Sequence, residues 1–228
     1  MTFGKSALKK RGYLAGTDQE RLDDLAGALD DPEVDIIWFS RGGFGSVRLL
    51  HLLPRYHRRK EKTLIGYSDS TAVFCWASRS PKLWALYGPS FGEVSDSKAA
   101  DGESLWAAID WWPFSLKGKP SDPYEEEFTV TGGCLSVLSA LAGTRYFPDL
   151  DGRFLFIEDV NEPMYRIDRM LTHLSLSGAF DRASGLILGS FAGMQDGTEK
   201  DVYLRAWELS GGKPVLRGIK SGHVERQR

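Results

Sequence analysis

Short, almost wholly apolar runs recur between helical stretches, and this alternation constrains the fold more than any other feature of the chain. Residues 34–39, 64–67, 83–87, 154–157, 186–188 and 215–219 each have the length and composition of a buried strand. Between them lie segments with helical periodicity. Thr17-Asp18-Gln19-Glu20 makes a capping box, in which Thr17 receives the Glu20 amide and Glu20 reaches back. Leu22, Leu25, Ala26 and Leu29 follow at helical spacing, and Pro32 closes that helix. Further helices are expected over 46–53, 70–77, 202–209 and from the Gly132-Gly133-Cys134-Leu135 run to 142; Ile167, Met170, Leu171 and Leu174 form another helical stripe. Strands alternating with helices in units of roughly 25 residues predict parallel sheets flanked by helices.

The pattern divides the chain into an N-terminal lobe over 1–97, a connection over 98–126 and a C-terminal α/β lobe, the smaller of the two, over 127–228. The connection is rich in Asp, Lys, Pro and Trp, with one short helix expected near 105–111. Trp106, Trp111 and Trp112 there suit packing between lobes, with a ligand cleft as the alternative. Arg55, His57, Arg58, Arg59, Lys60 and Lys62 form a local basic cluster, read as a solvated loop with an anion site as the alternative.

Bulk properties exclude several classes of function. A net charge of -2 gives no electrostatic reason to expect nucleic acid or an anionic membrane surface as partner. No apolar run reaches about 18 residues, and the N-terminus has no signal-like segment. The two cysteines, Cys75 and Cys134, lie in apolar surroundings and suggest no disulfide framework, so the expected compartment is the cytoplasm. No His/Cys/Asp/Glu set has metal-ligand spacing, and neither metal nor cofactor is expected.

Chemistry concentrates where apolar runs end. Leu64-Ile65-Gly66-Tyr67-Ser68-Asp69-Ser70-Thr71 passes from strand to small polar residues and at once into an apolar helix. A serine on such a turn presents its hydroxyl beside free helix amides, as a nucleophile requires. The plainer alternative is that Ser68 or Asp69 caps the helix. A serine nucleophile needs a base and a group to orient it. Of four histidines, His223 follows Gly222 past a strand end, where open α/β folds place catalytic bases; a solvated residue near the terminus is the alternative. Glu158 ends the apolar run 154–157, a costly place for an unpaired carboxylate; a salt bridge to Arg166 or Arg169 is the alternative. On a strand Glu158 shares a face with Phe154 and Phe156, and Asp159 the opposite face with Leu155 and Ile157. Gly42-Gly43-Phe44-Gly45 is a poor dinucleotide fingerprint, but a strand-end loop whose amides suit an oxyanion, or else a plain tight turn.

Taken together, these segments resemble the serine LD-carboxypeptidases, the muramoyltetrapeptide carboxypeptidase family. The carriers run in order: Tyr13-Leu14-Ala15-Gly16-Thr17 with Arg21, Arg41-Gly42-Gly43-Phe44-Gly45, Ile65-Gly66-Tyr67-Ser68-Asp69, Gly88-Pro89 and Gly132-Gly133. They continue with Ile157-Glu158-Asp159-Val160-Asn161-Glu162-Pro163, Tyr165-Arg166-Ile167-Asp168-Arg169, Leu188-Gly189-Ser190-Phe191 and Ser221-Gly222-His223. The resemblance implies a Rossmann- or flavodoxin-like N-terminal lobe. It implies Ser68 as nucleophile, His223 and Glu158 as its partners, and the Gly43 and Asp69 amides as oxyanion donors, without a metal. It further implies release of D-alanine from murein tetrapeptide in cytoplasmic cell-wall recycling, by a homodimer; a close branch instead inactivates peptidyl-nucleotide antibiotics of the microcin C type. Departures from the family pattern are Cys134 for the Asn usual after Gly-Gly and Tyr87 for the His usual before Gly-Pro. Only about a dozen residues precede the Tyr-Leu-Ala-Gly-Thr block, where the family carries a strand-helix-strand unit, and the chain stops at Arg228 before a closing strand. A truncated, catalytically silent homologue that binds a peptide or partner is therefore the competing expectation.

Overall fold

The structure, a computed structural model, describes residues 1–53, 60–94, 105, 109, 119–120 and 127–223. Its first sheet is parallel throughout, in the order β1 (Ile36–Trp38), β2 (Lys62–Gly66), β3 (Leu83–Tyr87). Helix α1 (Asp18–Asp30) precedes it, opened by the Thr17–Glu20 capping box. Helix α2 (Thr71–Ala77) links β2 to β3, and the one-turn α3 (Phe91–Val94) follows.

The second sheet has the order β4 (Lys119–Pro120), β8 (Val215–Arg217), β7 (Gly185–Ala192), β6 (Arg153–Val160), β5 (Thr129–Cys134). Only β4 runs antiparallel among these described pairs. The connecting helices are α4 (Leu135–Leu141), α5 (Met164–Leu176), α6 (Ala179–Arg182) and α7 (Glu199–Leu209). Among the described residues β4 falls in the expected connection, and the C-terminal lobe carries four parallel strands against three in the N-terminal lobe.

The main core is continuous between the two sheets. All seven residues of α2 are buried, as expected of a helix apolar on every side. Its Val73, Phe74 and Trp76 pack in one cluster with Leu64 of β2, Leu135 and Leu138 of α4, and Leu155 and Ile157 of β6. Burying each such side chain contributes about 1.5–3 kcal/mol. The opposite face of β6 packs Phe154 and Phe156 against Ile187, Leu216 and Ile219, so the expected alternation holds. None of the described helices is long and apolar enough to cross a membrane.

Three expectations need correction. Gly132, Gly133 and Cys134 do not open a helix: they end β5, and α4 starts at Leu135. Gly132 pairs with Phe156 in the sheet, and its backbone packs so closely there that no Cβ fits, which is why the strand holds a glycine at this position. The expected helix over 46–53 is a four-residue 3-10 turn, Ser46–Leu49. Lys62 is no solvated loop residue: it lies on β2, 2% exposed, and its Nζ donates to the Asp31 and Val34 carbonyls at 2.7 and 2.5 Å. Lys60 pairs with Asp35 at 2.9 Å. Arg55, His57, Arg58 and Arg59, and Trp106, Trp111 and Trp112 of the connection, lie outside the described residues.

Candidate active site

The turn after β2 is built for display. Ser68 adopts φ 59°, a left-handed conformation that L-residues avoid at a cost of about 1–3 kcal/mol, and one found where a side chain must be aimed. A 3-10 turn, Ser68–Ser70, then leads directly into α2. The capping alternative does not describe this turn. Neither N-cap residue, Tyr67 for the turn or Ser70 for α2, makes a side-chain cap, and the Asp69 carboxylate accepts the Ser46 amide across the loop at 2.8 Å. Of the first three amides, Ser68's donates to the Tyr87 hydroxyl at 2.8 Å and Ser70's to the Tyr67 carbonyl at 3.2 Å. The Asp69 amide between them has no acceptor among the described residues, as is usual for the opening N–H groups of a helix.

Glu158, wholly buried on β6, is held by three donors. Its Oε2 accepts both the His223 amide at 2.9 Å and the His223 ring Nδ1 at 2.8 Å, and its Oε1 accepts the Tyr87 hydroxyl at 2.5 Å. The expected alternative partners are elsewhere; Arg166 pairs with Glu162 at 3.1 Å. With Nδ1–H given to the carboxylate, Nε2 carries the lone pair of the neutral ring. The His223 side chain is 18% exposed, and burial alone would lower its pKa. The hydrogen bond and charge of Glu158 outweigh that and raise it above the usual imidazole value.

Two backbone devices deliver His223. A register shift between β6 and β7 gives β7 an extra residue around Gly189–Ser190, and Ser190 N–H donates to the Ser221 carbonyl at 3.0 Å, laying the chain beyond β8 along that strand end. Gly222 then turns with φ 102°, and any Cβ there would collide with the Glu158 carboxylate. Asp159, one residue on, serves the opposite face. It accepts the Ser136 amide at 2.8 Å at the start of α4 and the Cys134 thiol at 3.6 Å, and burial raises its pKa. Burial also pushes the Cys134 thiol up to about 12.

Ser68, His223, Gly42 and Gly43 line one cavity of about 500 Å³ with Arg41 and Glu93. Gly42 lies flat on the serine: a Cβ there would stand 3.1 Å from Ser68 Cβ and 3.4 Å from Oγ. Gly43 holds φ 129° on the cavity wall. The structure therefore brings the expected Ser68, Glu158, His223, Gly43 and Asp69 to one place. Of the other histidines, His173 faces Ser139 Oγ at 3.2 Å, His51 is exposed, and His57 lies outside the described residues. Sequence reasoning noted Tyr87 only as a departure and missed its contact with both Glu158 and Ser68. A polar residue ending the strand paired with β2, with Tyr87 opposite Gly66, was the available signal. It also missed Glu93, whose carboxylate accepts from the Tyr67 hydroxyl, the Ser90 amide and the Ser90 hydroxyl, each at 2.8 Å. Among the described residues no three His, Cys, Asp or Glu side chains stand together as a metal site.

Residues 1–88 match the LD-carboxypeptidase N-terminal domain and residues 129–228 the LD-carboxypeptidase C-terminal domain. The chain is similar to a putative carboxypeptidase of Streptomyces coelicolor, 36% identical over 93% of this chain and 71% of that protein. It is 30% identical to a murein tetrapeptide carboxypeptidase of Pseudomonas aeruginosa, over 99% of this chain and 79% of the relative. Among solved structures, the muramoyltetrapeptide carboxypeptidase of Oxalobacter formigenes superposes with a TM-score of 0.75 at 27% identity, covering 96% of this chain and 79% of that one.

Proposed function

The chain belongs to the LD-carboxypeptidase family, and from that premise we propose that it is a serine hydrolase working through Ser68, His223 and Glu158. What carries the reading is a buried carboxylate gripping the ring of a histidine that shares a cavity with a serine on a left-handed turn. Ser68 Oγ attacks the scissile carbonyl while His223 Nε2 takes its proton. Glu158 fixes the ring through Nδ1–H and stabilises the imidazolium that forms. The Gly43 and Asp69 amides receive the oxyanion, at sites that need no reorganisation as charge develops. The imidazolium then protonates the departing amine, and water, activated by the same ring, releases the acyl group.

The substrate we propose is murein tetrapeptide, cut at its L-to-D bond to free D-alanine, in agreement with what the Pseudomonas and Oxalobacter relatives are named for. On this reading the enzyme works in the cytoplasm, as a homodimer. D-alanine release from purified tetrapeptide measures it, and Ser68→Ala is expected to cut turnover by ~10⁶. Undiminished release by that variant removes the serine mechanism. Turnover of a peptidyl nucleotide in place of tetrapeptide assigns the antibiotic-inactivating branch, and turnover of neither leaves the silent-homologue reading.

A further inference from the structure

An exopeptidase must tell a chain end from a chain interior, and the terminal carboxylate lies only about one residue length, ~3.8 Å, beyond the bond that is cut. The reader of that carboxylate has to be a donor or cation beside the nucleophile. Gly42 rests on Ser68, as its close approach shows, and the residue before it is Arg41. Arg41 lines the same cavity as Ser68, Gly43 and His223, and is exposed. It is the one permanent cation among the described cavity residues, and it has no ion-pair partner among the described residues. Glu93, the acid of that wall, is already engaged by Tyr67 and Ser90. Its negative charge would oppose an incoming carboxylate unless a cation beside it offset the field.

We propose that Arg41 determines carboxypeptidase specificity by receiving the free α-carboxylate of the residue about to be released. The guanidinium fork matches a carboxylate in two parallel N–H···O bonds. That pairing would seat the terminal residue with its amide at Ser68 and leave no room for a longer chain. The inference rests on the hydrolase reading above for its substrate, and deepens it.

The test compares L-Ala-γ-D-Glu-meso-diaminopimelate-D-Ala with the same peptide ending in D-alanine amide. The unaltered chain should prefer the acid by about 10- to 100-fold in kcat/KM, the range of a charge-assisted pair. In Arg41→Gln that preference should fall below about twofold, mainly through a higher KM, and Arg41→Lys should keep part of it. No preference in the unaltered chain, or a preference that survives Arg41→Gln, overturns the inference. Calorimetric binding of both peptides to Ser68→Ala, with and without Arg41→Gln, separates this failure from that of the hydrolase reading. Absent turnover with an Arg41-dependent acid preference in binding sinks the chemistry alone. Equal affinities, or no binding of either peptide, sink the inference.

Discussion

Glu158 and Asp159 are adjacent on β6, yet one binds the His223 ring and the other the first turn of α4. Their replacements should separate accordingly. Glu158→Gln keeps the shape but removes the carboxylate that orients and charges the imidazole, and should cost ~10⁴ in kcat. Asp159→Asn should lower stability by about 1 kcal/mol through its cap on α4 and leave kcat within about tenfold; the larger kinetic loss from Asp159→Asn would reverse the assignment. The pH profile carries the same information. His223 must be neutral to take the serine proton, and Glu158 raises its pKa above 6.5. The rise of kcat/KM with pH should therefore be centred above 6.5, the unshifted imidazole value, and move down in Glu158→Gln. For stability the sign is opposite. The pairing of protonated His223 with Glu158 contributes fully below the unfolded pKa and is lost as pH climbs through the raised folded one. Activity should thus grow over the window in which that contribution to stability fades.

At the scale of the element, function sits on strand ends, and so did the legibility of the sequence. Ser68, Glu158 and His223 each follow or close an apolar run, and a polar residue there is conspicuous in one dimension. Strands β2, β3, β6 and β7 were readable for the same reason. Strand β5 was not, because Gly132 and Gly133 deny it a strand's composition; they are required by the backbone of Phe156 and by Thr71 and Tyr87, contacts distant in sequence. Lys62 misled for a related reason: its charge is met by two carbonyls near the end of α1, which no local pattern shows. Tyr87 and Arg41 were invisible as site residues because pairing register and loop placement, not composition, bring them to Ser68. The Gly222 turn gives the element-level test. Gly222→Ala combines an unfavourable φ with a clash on Glu158, and should displace His223. We expect kcat to fall at least about 100-fold with the melting temperature changed by only a few degrees. A variant as active as the parent would show that the loop past β8 can relocate without disturbing the base.

At the scale of the molecule, the two sheets are fastened through a shared interior. Leucines of β2, α4, α5 and β6 belong to one cluster around α2, so neither half closes a core without the other. Denaturation should follow a single transition by far-ultraviolet ellipticity and by tryptophan fluorescence together; two resolved steps would mean that the halves are independently stable. The burial of α2 on every side has one more consequence. The serine sits on the 3-10 turn that leads straight into a helix with no exposed residue, so the amides of α2 should exchange with solvent only when the whole chain unfolds. Catalysis then becomes a faithful gauge of the fold: in a urea series, activity and ellipticity should vanish at the same midpoint. An activity midpoint well below the structural one would mean that the nucleophile's turn loosens on its own.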